Sequence, residues 1–409
     1  MNLSTKSIDL LAFWVGSQLR QVRQGLHDVR VISEIQRRSG FLLRGLRGCR
    51  VVPLALVLLP ALCILGPSCI RQTHTPYHGS QAPPLLKEGL PGRPENPRSK
   101  ISAVSAEGTR THAVLHLFRP RPCSDSSENE LGALAYLSRT PGAKRWVVVL
   151  PIWGSSTYPP NRIVRRLLGG THGRQTNVLW IQGPRRLVRY QALKDASTEA
   201  EFLEEVLRTG SCIEATTEDV RTFIDWVMEQ PETDPRRVGI VGFSIGSIVG
   251  SLVMGRDQRL AAGVFVMVGG HLDEIIAHCK WGQREVREHA AKAFGWNAEK
   301  LKSVIKGPLS AVDPMLIADR IDPAAVLYID SGYDKCIPQS SRDDLWRAMG
   351  EPERVTLGYD HRNSFLTMTF LGFDVTTRRI EAFLDRRLAE TEQPLPTKEN
   401  STATTGKAP

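Results

Sequence analysis

A serine with a glycine two residues before it and another two residues after it is the strongest candidate in this chain for a chemically reactive side chain. The stretch VGIVGFSIGS covers residues 238–247, and Ser244 stands at the centre of its GFSIG portion. Glycine on either side leaves no side chain to clash within a sharp turn. Such a turn exposes the Ser244 hydroxyl, which becomes a nucleophile when a neighbouring base takes its proton. Ser244 is therefore the candidate from which the other functional residues are sought.

The residues on both sides of Ser244 have the patterns that an exposed nucleophile requires. Residues 238–241 form a short apolar run typical of a buried strand, and residues 247–254 suit a helix. A helix that begins just after Ser244 directs its N–H groups and the positive end of its dipole toward the hydroxyl. Strand, turn and helix thus follow one another in the order that the mechanics of a nucleophile turn demand.

The G-x-S-x-G pattern in this context resembles the nucleophile elbow of the α/β-hydrolase fold family, most closely its dienelactone-hydrolase and esterase-like members. The resemblance covers about Ala103 to Leu388. It implies a mostly parallel central sheet flanked by helices, and a serine, an acid and a histidine in that chain order. It also implies an ester or related acyl substrate of small-molecule size, with no metal and no organic cofactor.

Four histidines follow Ser244, and one of them lies where the base of such a site is expected. His271, His278 and His289 fall within or at the edge of a charged helical segment. His361 follows the last predicted strand, in the sequence GYDHRNSFL. A loop at this place reaches the carboxyl edge of the sheet, on the same side as the serine. We predict that His361 is the base.

The carboxylate that orients the histidine is sought in the sequence VLYIDSGYDKCIP, residues 326–338. Asp330 ends the strand, whereas Asp334 lies in GYDKCIP, which resembles the family pattern G-x-D-x-x-[VI]-P. We predict that Asp334 is the acid, with Asp330 as the alternative. Asp360 is poorly placed for this role. It is the neighbour of His361 in the chain, and the side chains of adjacent residues on an extended loop point in different directions.

Two backbone N–H groups are expected to stabilise the negative charge that acyl transfer builds on a carbonyl oxygen. The resemblance implies that one comes from Ile245, directly after the nucleophile. The other comes from the loop after the strand WVVVLPI, where the family often has His-Gly and this chain has Trp-Gly. We predict Trp153 as this second donor, with Ile152 or Ser155 as alternatives.

The middle of the chain alternates between strand and helix patterns, which predicts an α/β fold with a mostly parallel sheet. The predicted strands are 112–118, 146–152, 177–181, 238–241, 263–268, 325–329 and 354–357. The predicted helices are 161–168, 214–229, 247–254 and 376–388. Residues 271–323 interrupt the alternation as a helical insertion, interpreted either as a cap over the substrate pocket or as a plain solvated excursion.

Composition divides the 409 residues into five segments. The segments are a basic extension at 1–50, a hydrophobic signal or anchor at 51–69, a proline-rich linker at 70–100, the α/β domain at 101–388 and a polar tail at 389–409, expected to be disordered. Nine Lys and Arg residues against three Asp and Glu residues give the first segment +6 of the net charge of +10. The remainder has no basic stripe interleaved with aromatics, which argues against a nucleic-acid partner.

Arginines precede an apolar run of about 15 residues, and small residues follow it, which is the layout of an export signal. The run is short for a membrane span, which needs about 20 residues. We therefore expect an exported or membrane-anchored protein of the cell envelope, attached through this segment or through a lipid on Cys69. A buried helix of the main domain is the alternative for the apolar run.

The seven cysteines show neither a CxxC pair nor a zinc-ligand spacing. They are interpreted as buried or free thiols, with one disulfide left open for an oxidising compartment. For the function, an acyltransferase or a peptidase with the same three residues is the alternative to a hydrolase. A non-catalytic binding protein on this fold is a further alternative, and a complete set of three candidates argues against it.

Overall fold

Ten strands form one sheet in the part of the chain that the computed structural model describes. The described residues are 72–79, 99–107, 110–119, 129–152, 159–182, 187–280, 282–367 and 375–389. The strands are β1 Gln72–Thr75, β2 Ser99–Glu107, β3 Arg110–Arg119, β4 Asn129–Ser138, β5 Lys144–Val149, β6 Thr176–Gln182, β7 Thr233–Phe243, β8 Ala262–Val266, β9 Val326–Ser331 and β10 Glu353–Leu357.

The strand order across the sheet is β1-β10-β9-β8-β7-β5-β6-β4-β3-β2. The six strands from β10 to β6 pair in parallel. At one edge β1 pairs antiparallel with β10, and at the other edge β4, β3 and β2 are antiparallel. The sheet is therefore mixed, with the predicted parallel arrangement at its centre.

Helices connect the central strands. In the described residues they are α1 Pro160–Gly169, α2 Tyr190–Asp195, α3 Glu199–Glu229, α4 Ile245–Arg256, α5 Leu272–His278, α6 Gly282–Phe294, α7 Ala298–Leu309, α8 Gln339–Ala348, α9 His361–Thr367 and α10 Val375–Arg387. The central strands β5, β8 and β9 are buried along their whole length. Continuous burial agrees with the apolar runs WVVV in β5, AGVFV in β8 and VLYI in β9, because a parallel strand covered on both faces has no solvent-facing side.

The predicted strands and helices after residue 110 all have counterparts, but several elements were missed. Strand β1 lies inside the predicted linker, and strands β2 and β4 have no counterpart in the prediction. Helix α3 begins at Glu199 rather than at residue 214, after a capping box formed by Thr198 and Glu201. Gly210 lies within α3 and breaks the sequence pattern of the helix. Glycine is needed there because a Cβ atom would lie 2.9 Å from the carbonyl oxygen of Pro308.

The insertion 271–323 contains α5, α6 and α7, followed by short 3₁₀ turns. It is fastened to α2 and to the start of α3. The indole of Trp296 donates to Glu199, and Gln283 donates to the Tyr190 hydroxyl at 2.8 Å. Phe202 packs edge-on against Trp296, with ring centroids 5.5 Å apart. These contacts hold the insertion against the body of the domain.

Two cysteines that the sequence interpretation left unpaired form a disulfide. Cys279, directly after α5, is bonded to Cys336, which lies in the loop between β9 and α8. The prediction of unpaired thiols is therefore wrong for this pair. The two residues are 57 positions apart, and sequence spacing gives no signal for a pair that only the packing of the insertion brings together.

The terminal segments of the sequence prediction lie outside the described residues. These are the basic extension 1–50, the hydrophobic segment 51–69 with Cys69, and all but the first residue of the tail 389–409. Within the described ranges, no helix combines the length and the apolar character that crossing a bilayer requires.

Candidate active site

The backbone at Ser244 has the sharp bend that the two glycines predicted. Ser244 stands between β7 and α4 with φ +53° and ψ −121°, a conformation that side-chain-bearing residues rarely adopt. Its N–H donates to the carbonyl oxygen of Val266 on β8 at 2.8 Å, and its own carbonyl accepts from the N–H of Ser247 at 2.7 Å. These bonds hold the strained residue in place at the end of the strand.

Both flanking glycines are required by close backbone contacts rather than by their own φ angles. A side chain at Gly242 would lie 2.4 Å from the carbonyl oxygen of Gly246. A side chain at Gly246 would lie 2.4 Å from the carbonyl oxygen of Pro151, just after β5. The turn therefore folds tightly back on itself and also presses against the end of the neighbouring strand.

Three side chains predicted to work together are joined in series. The Nε2 atom of His361 lies 3.1 Å from Oγ of Ser244, and its Nδ1 atom lies 2.6 Å from Oδ2 of Asp334. The side chain of His361 is 6% exposed and that of Asp334 is fully buried. Solvent therefore does not compete for the bond between the imidazole and the carboxylate.

The ionisation of Asp334 decides the direction of both hydrogen bonds. Burial by itself raises the pKa of this carboxyl group, but the bonds from His361, Ile337 and Cys336 outweigh burial and hold its pKa below the usual value. An ionised carboxylate only accepts, so Nδ1 of His361 carries the proton and donates it. In the neutral imidazole Nε2 is then the acceptor, and the Ser244 hydroxyl donates to it.

The carboxylate of Asp334 is held in a turn just beyond β9. Its Oδ1 atom accepts from the backbone N–H of Cys336 at 2.7 Å and of Ile337 at 2.9 Å. The Asp334 N–H donates to the carbonyl of Ser331, the last residue of β9. One carboxylate oxygen is thus fixed by the backbone, which leaves the other for His361.

His361 is the first residue of helix α9, where the sequence predicted a loop. Asp360 caps this helix: its Oδ1 accepts from the N–H of Asn363 at 2.8 Å. The Asp360 carboxylate, which the sequence analysis did not favour as the acid, therefore serves as a helix cap. Capping fixes the first turn of α9 and with it the position of His361.

The alternative candidates have other partners. Asp330 is buried and bonds to Arg342 and to Arg354, at 3.3 Å and 2.6 Å. The remaining histidines after Ser244 bond to other groups, namely His271 to Asp344, His278 to the carbonyl of Glu274 and His289 to the carbonyl of Ala196.

A pair of buried serines connects the elements that carry the acid and the histidine, and the sequence prediction missed it. Oγ of Ser331 lies 2.5 Å from Oγ of Ser364, and both residues are fully buried. Ser331 ends β9 and Ser364 is one turn into α9. An isolated serine three residues from a candidate gives little signal, because its partner is 33 residues away in the chain.

The predicted oxyanion donors are described in part. Ile245 is the first residue of α4, so its N–H has no acceptor inside the helix. Ile152 is half-buried beyond β5, whereas Trp153 and Ser155 lie outside the described residues. Because Gly246 contacts Pro151, the loop after β5 begins beside the amide of Ile245.

The fold is similar to that of a known esterase. Acetyl xylan esterase 1 from Thermoanaerobacterium sp. JW/SL YS485 matches with a TM-score of 0.50 and 16% sequence identity, over 71% of this chain and 88% of that enzyme. An acetyl xylan esterase from Paenibacillus sp. R4 matches with a TM-score of 0.49 and 16% identity, over 71% and 89% of the two chains. The chain has the α/β-hydrolase fold.

Sequence comparison adds uncharacterized relatives, and the sequence matches no protein-family model. An uncharacterized protein of Mycobacterium tuberculosis is 26% identical over 148 residues, which are 36% of this chain. The match spans about a third of the length of that relative, 33%.

Proposed function

We propose that this protein is a serine hydrolase that cleaves an ester or related acyl bond through an acyl-enzyme. The observation that carries the proposal is the series of hydrogen bonds from Ser244 through His361 to Asp334. It is supported by the strained turn at Ser244, which holds a hydroxyl at the start of a helix. The α/β-hydrolase fold hosts many activities, so the site rather than the fold carries the argument.

In the proposed reaction, His361 Nε2 takes the proton of Ser244 as the serine oxygen attacks the carbonyl carbon. Asp334 holds the imidazole through Nδ1–H and stabilises the imidazolium that forms. The N–H of Ile245 and a second N–H from the loop after β5, for which Trp153 is our candidate, stabilise the oxyanion. His361 then protonates the leaving alcohol, and water attacks the acyl-enzyme with His361 as base.

The experiment uses aryl esters of increasing acyl length, beginning with acetates because the esterase of similar fold is named for acetyl groups. We expect ester hydrolysis by the full chain and labelling of Ser244 by a fluorophosphonate probe. Ser244→Ala is expected to abolish labelling and to lower kcat by at least about 10⁴-fold. Mass spectrometry of the labelled peptide identifies the residue that reacts.

Ser251→Ala is the matched control, because it removes a buried hydroxyl of the same helix whose partner is the carbonyl of Ile248. It is expected to leave labelling and kcat within about twofold. Product analysis with an added alcohol separates hydrolysis from acyl transfer. Absence of both labelling and turnover in a folded full-length chain would overturn the proposal and favour a non-catalytic binding protein.

A further inference from the structure

The loop that carries Asp334 is joined covalently to the helical insertion. Cys336 is two residues after Asp334, and its sulfur is bonded to that of Cys279 at the end of α5. Beside the disulfide, the N–H of Lys280 donates to the carbonyl of Lys335 at 3.1 Å. Two consecutive residues of the insertion are therefore bonded to two consecutive residues of the loop that carries Asp334.

One of these two loop residues, Cys336, also holds the carboxylate of Asp334. Oδ1 of Asp334 accepts from the N–H of Cys336 and of Ile337, so a shift of this backbone moves the carboxylate with it. The other oxygen of Asp334 is the one that meets His361. A displacement at Cys336 is thus transmitted to the imidazole through a single side chain.

The loop is also held at its two ends, because the N–H groups of Gly332 and Tyr333 donate to the carbonyls of Leu357 and Tyr359 and Ile337 is buried in the core. Gly332, Tyr333 and Lys335 are all exposed, and Tyr333 is 68% exposed. Cys279, in contrast, is fully buried, and its carbonyl accepts from the guanidinium of Arg287 on α6. The disulfide therefore ties an exposed loop to an anchored point of the insertion.

We propose that the Cys279–Cys336 disulfide positions Asp334 for catalysis, so that turnover depends on the redox state of this bond. The inference rests on the proposed function, since it concerns the acid of the same site. Cys279 and Cys336 are positioning residues, because they act through Asp334 and His361. Losing the bond lowers kcat and spares KM, because Asp334 orients the imidazole and does not hold the substrate.

Reduction by a dithiol is a two-electron exchange. A thiolate of the reductant attacks one sulfur, and the bond between Cys279 and Cys336 breaks. The second reductant thiol then displaces the first protein sulfur, so the protein gains two thiols and the reductant becomes a cyclic disulfide. A disulfide oxidant reverses the exchange, and a loss of activity caused by positioning reverses with it.

The first test compares variants of the full chain on an aryl ester. Cys279→Ala and Cys336→Ala are each expected to lower kcat about 10- to 100-fold with KM within twofold, the range that a small misplacement of catalytic groups costs. The double variant is expected to lose no more than either single variant, because all three lack the same bond. Cys212→Ala is the control, since Cys212 is also disulfide-bonded and lies on α3. Its kcat is expected to stay within twofold.

The second test uses the folded wild-type chain, so its main readout does not depend on the variants' folding. A dithiol is added, peptide mass spectrometry counts the thiols at Cys279 and Cys336, and kcat is followed in parallel. We expect kcat to fall in step with these thiols and to return on reoxidation, whereas the double variant is insensitive to the reductant. Melting temperatures measured alongside separate positioning from unfolding.

An unchanged kcat when both thiols have formed overturns the inference, and so does an equal loss of kcat in Cys212→Ala. Failure of the proposed function has a different signature. In that case the untreated wild type neither hydrolyses aryl esters nor reacts with the fluorophosphonate at Ser244. If the wild type hydrolyses aryl esters and is labelled at Ser244, but its kcat does not change on reduction, the redox inference is wrong and the proposed function stands.

Discussion

Two aspartates only four residues apart have opposite environments, and this difference assigns their roles. Asp330 faces two arginines in the core beside β10, whereas Asp334 faces an imidazole and two backbone N–H groups. By residue type and position either residue could be the acid, and the resemblance of GYDKCIP to a family pattern favoured Asp334. The turn after β9 places the carboxylate of Asp334 at His361, whereas Asp330 stays within β9 and bonds to Arg342 and Arg354.

The lowered pKa of Asp334 ties the stability of the fold to pH. A carboxyl group whose pKa is lower in the folded than in the unfolded chain stabilises the fold above its unfolded value, near 3.8, and loses this contribution as pH falls through the folded pKa. We expect Asp334→Asn to remove this part of the acid sensitivity. Denaturant unfolding at pH 7, 5, 4 and 3 measures it for both proteins.

Asp360→Asn is the matched control, because asparagine also caps helices and no ionised bond to an imidazole is lost. The free energy of unfolding of Asp334→Asn should decline less steeply below pH 5 than those of the wild type and the control. Equal slopes in all three proteins would show that Asp334 has the same affinity for protons in the folded and unfolded chains.

At the scale of elements, the turn between β7 and α4 has no room for a side chain at either of its two glycines. Gly242 lies against Gly246, and Gly246 lies against Pro151 at the end of β5. The contact with Pro151 involves backbone, which cannot move aside as a flexible side chain can. The ends of β7 and β5 are therefore coupled through a turn in which no methyl group fits.

Gly246→Ala tests this coupling. The added methyl carbon would lie 2.4 Å from the Pro151 carbonyl oxygen, so we expect a loss of about 3 kcal/mol in the free energy of unfolding. Gly169→Ala, where the methyl meets open space at the end of α1, is expected to change stability by less than about 1 kcal/mol. Urea unfolding compares them, and a Gly246→Ala protein as stable as the Gly169→Ala protein contradicts the argument.

Elements with a strong local pattern were predictable, and those that depend on a partner were not. The apolar runs of β5, β7 and β8 predict buried strands whatever their neighbours in the sheet are. Strand β1 is different, because its residues are mostly exposed and only pairing with β10 makes them a strand. Helix α9 likewise begins at His361 through the cap supplied by Asp360.

At the scale of the whole molecule, we propose that the protein works outside the cytoplasm. The sequence supports this through the basic and apolar segments that precede the domain. The Cys279–Cys336 disulfide supports it as well, because structural disulfides persist in oxidising compartments. The same environment would keep Asp334 in position, so localisation and activity are linked in this proposal.

Interrupting the apolar run tests the proposed localisation. In a bacterial host we expect the full chain in the envelope fraction, and the variant Leu56→Arg with Leu58→Arg in the cytoplasm with Cys279 and Cys336 reduced. The control carries the same changes just outside the run, Leu42→Arg with Leu43→Arg, and should behave as the wild type. Fractionation and thiol trapping give the readout, and a cytoplasmic wild-type chain contradicts the proposal.

The sequence by itself determined the alternation of central strands and helices and the turn at Ser244, and it predicted His361 and Asp334 as partners of the serine. These features depend on local patterns: apolar runs, glycines where no side chain fits, and polar residues directly after strands. Each can be read within about ten residues, because backbone sterics and burial act on neighbours in the chain.

Only the tertiary structure decided the contacts that join distant segments. These are the disulfide between Cys279 and Cys336, the bond between Ser331 and Ser364, and the pairing of β1 with β10. Each partner is an ordinary residue in its own segment. The energy of such a contact exists only after other elements have packed and brought the two groups together, so no local pattern encodes it.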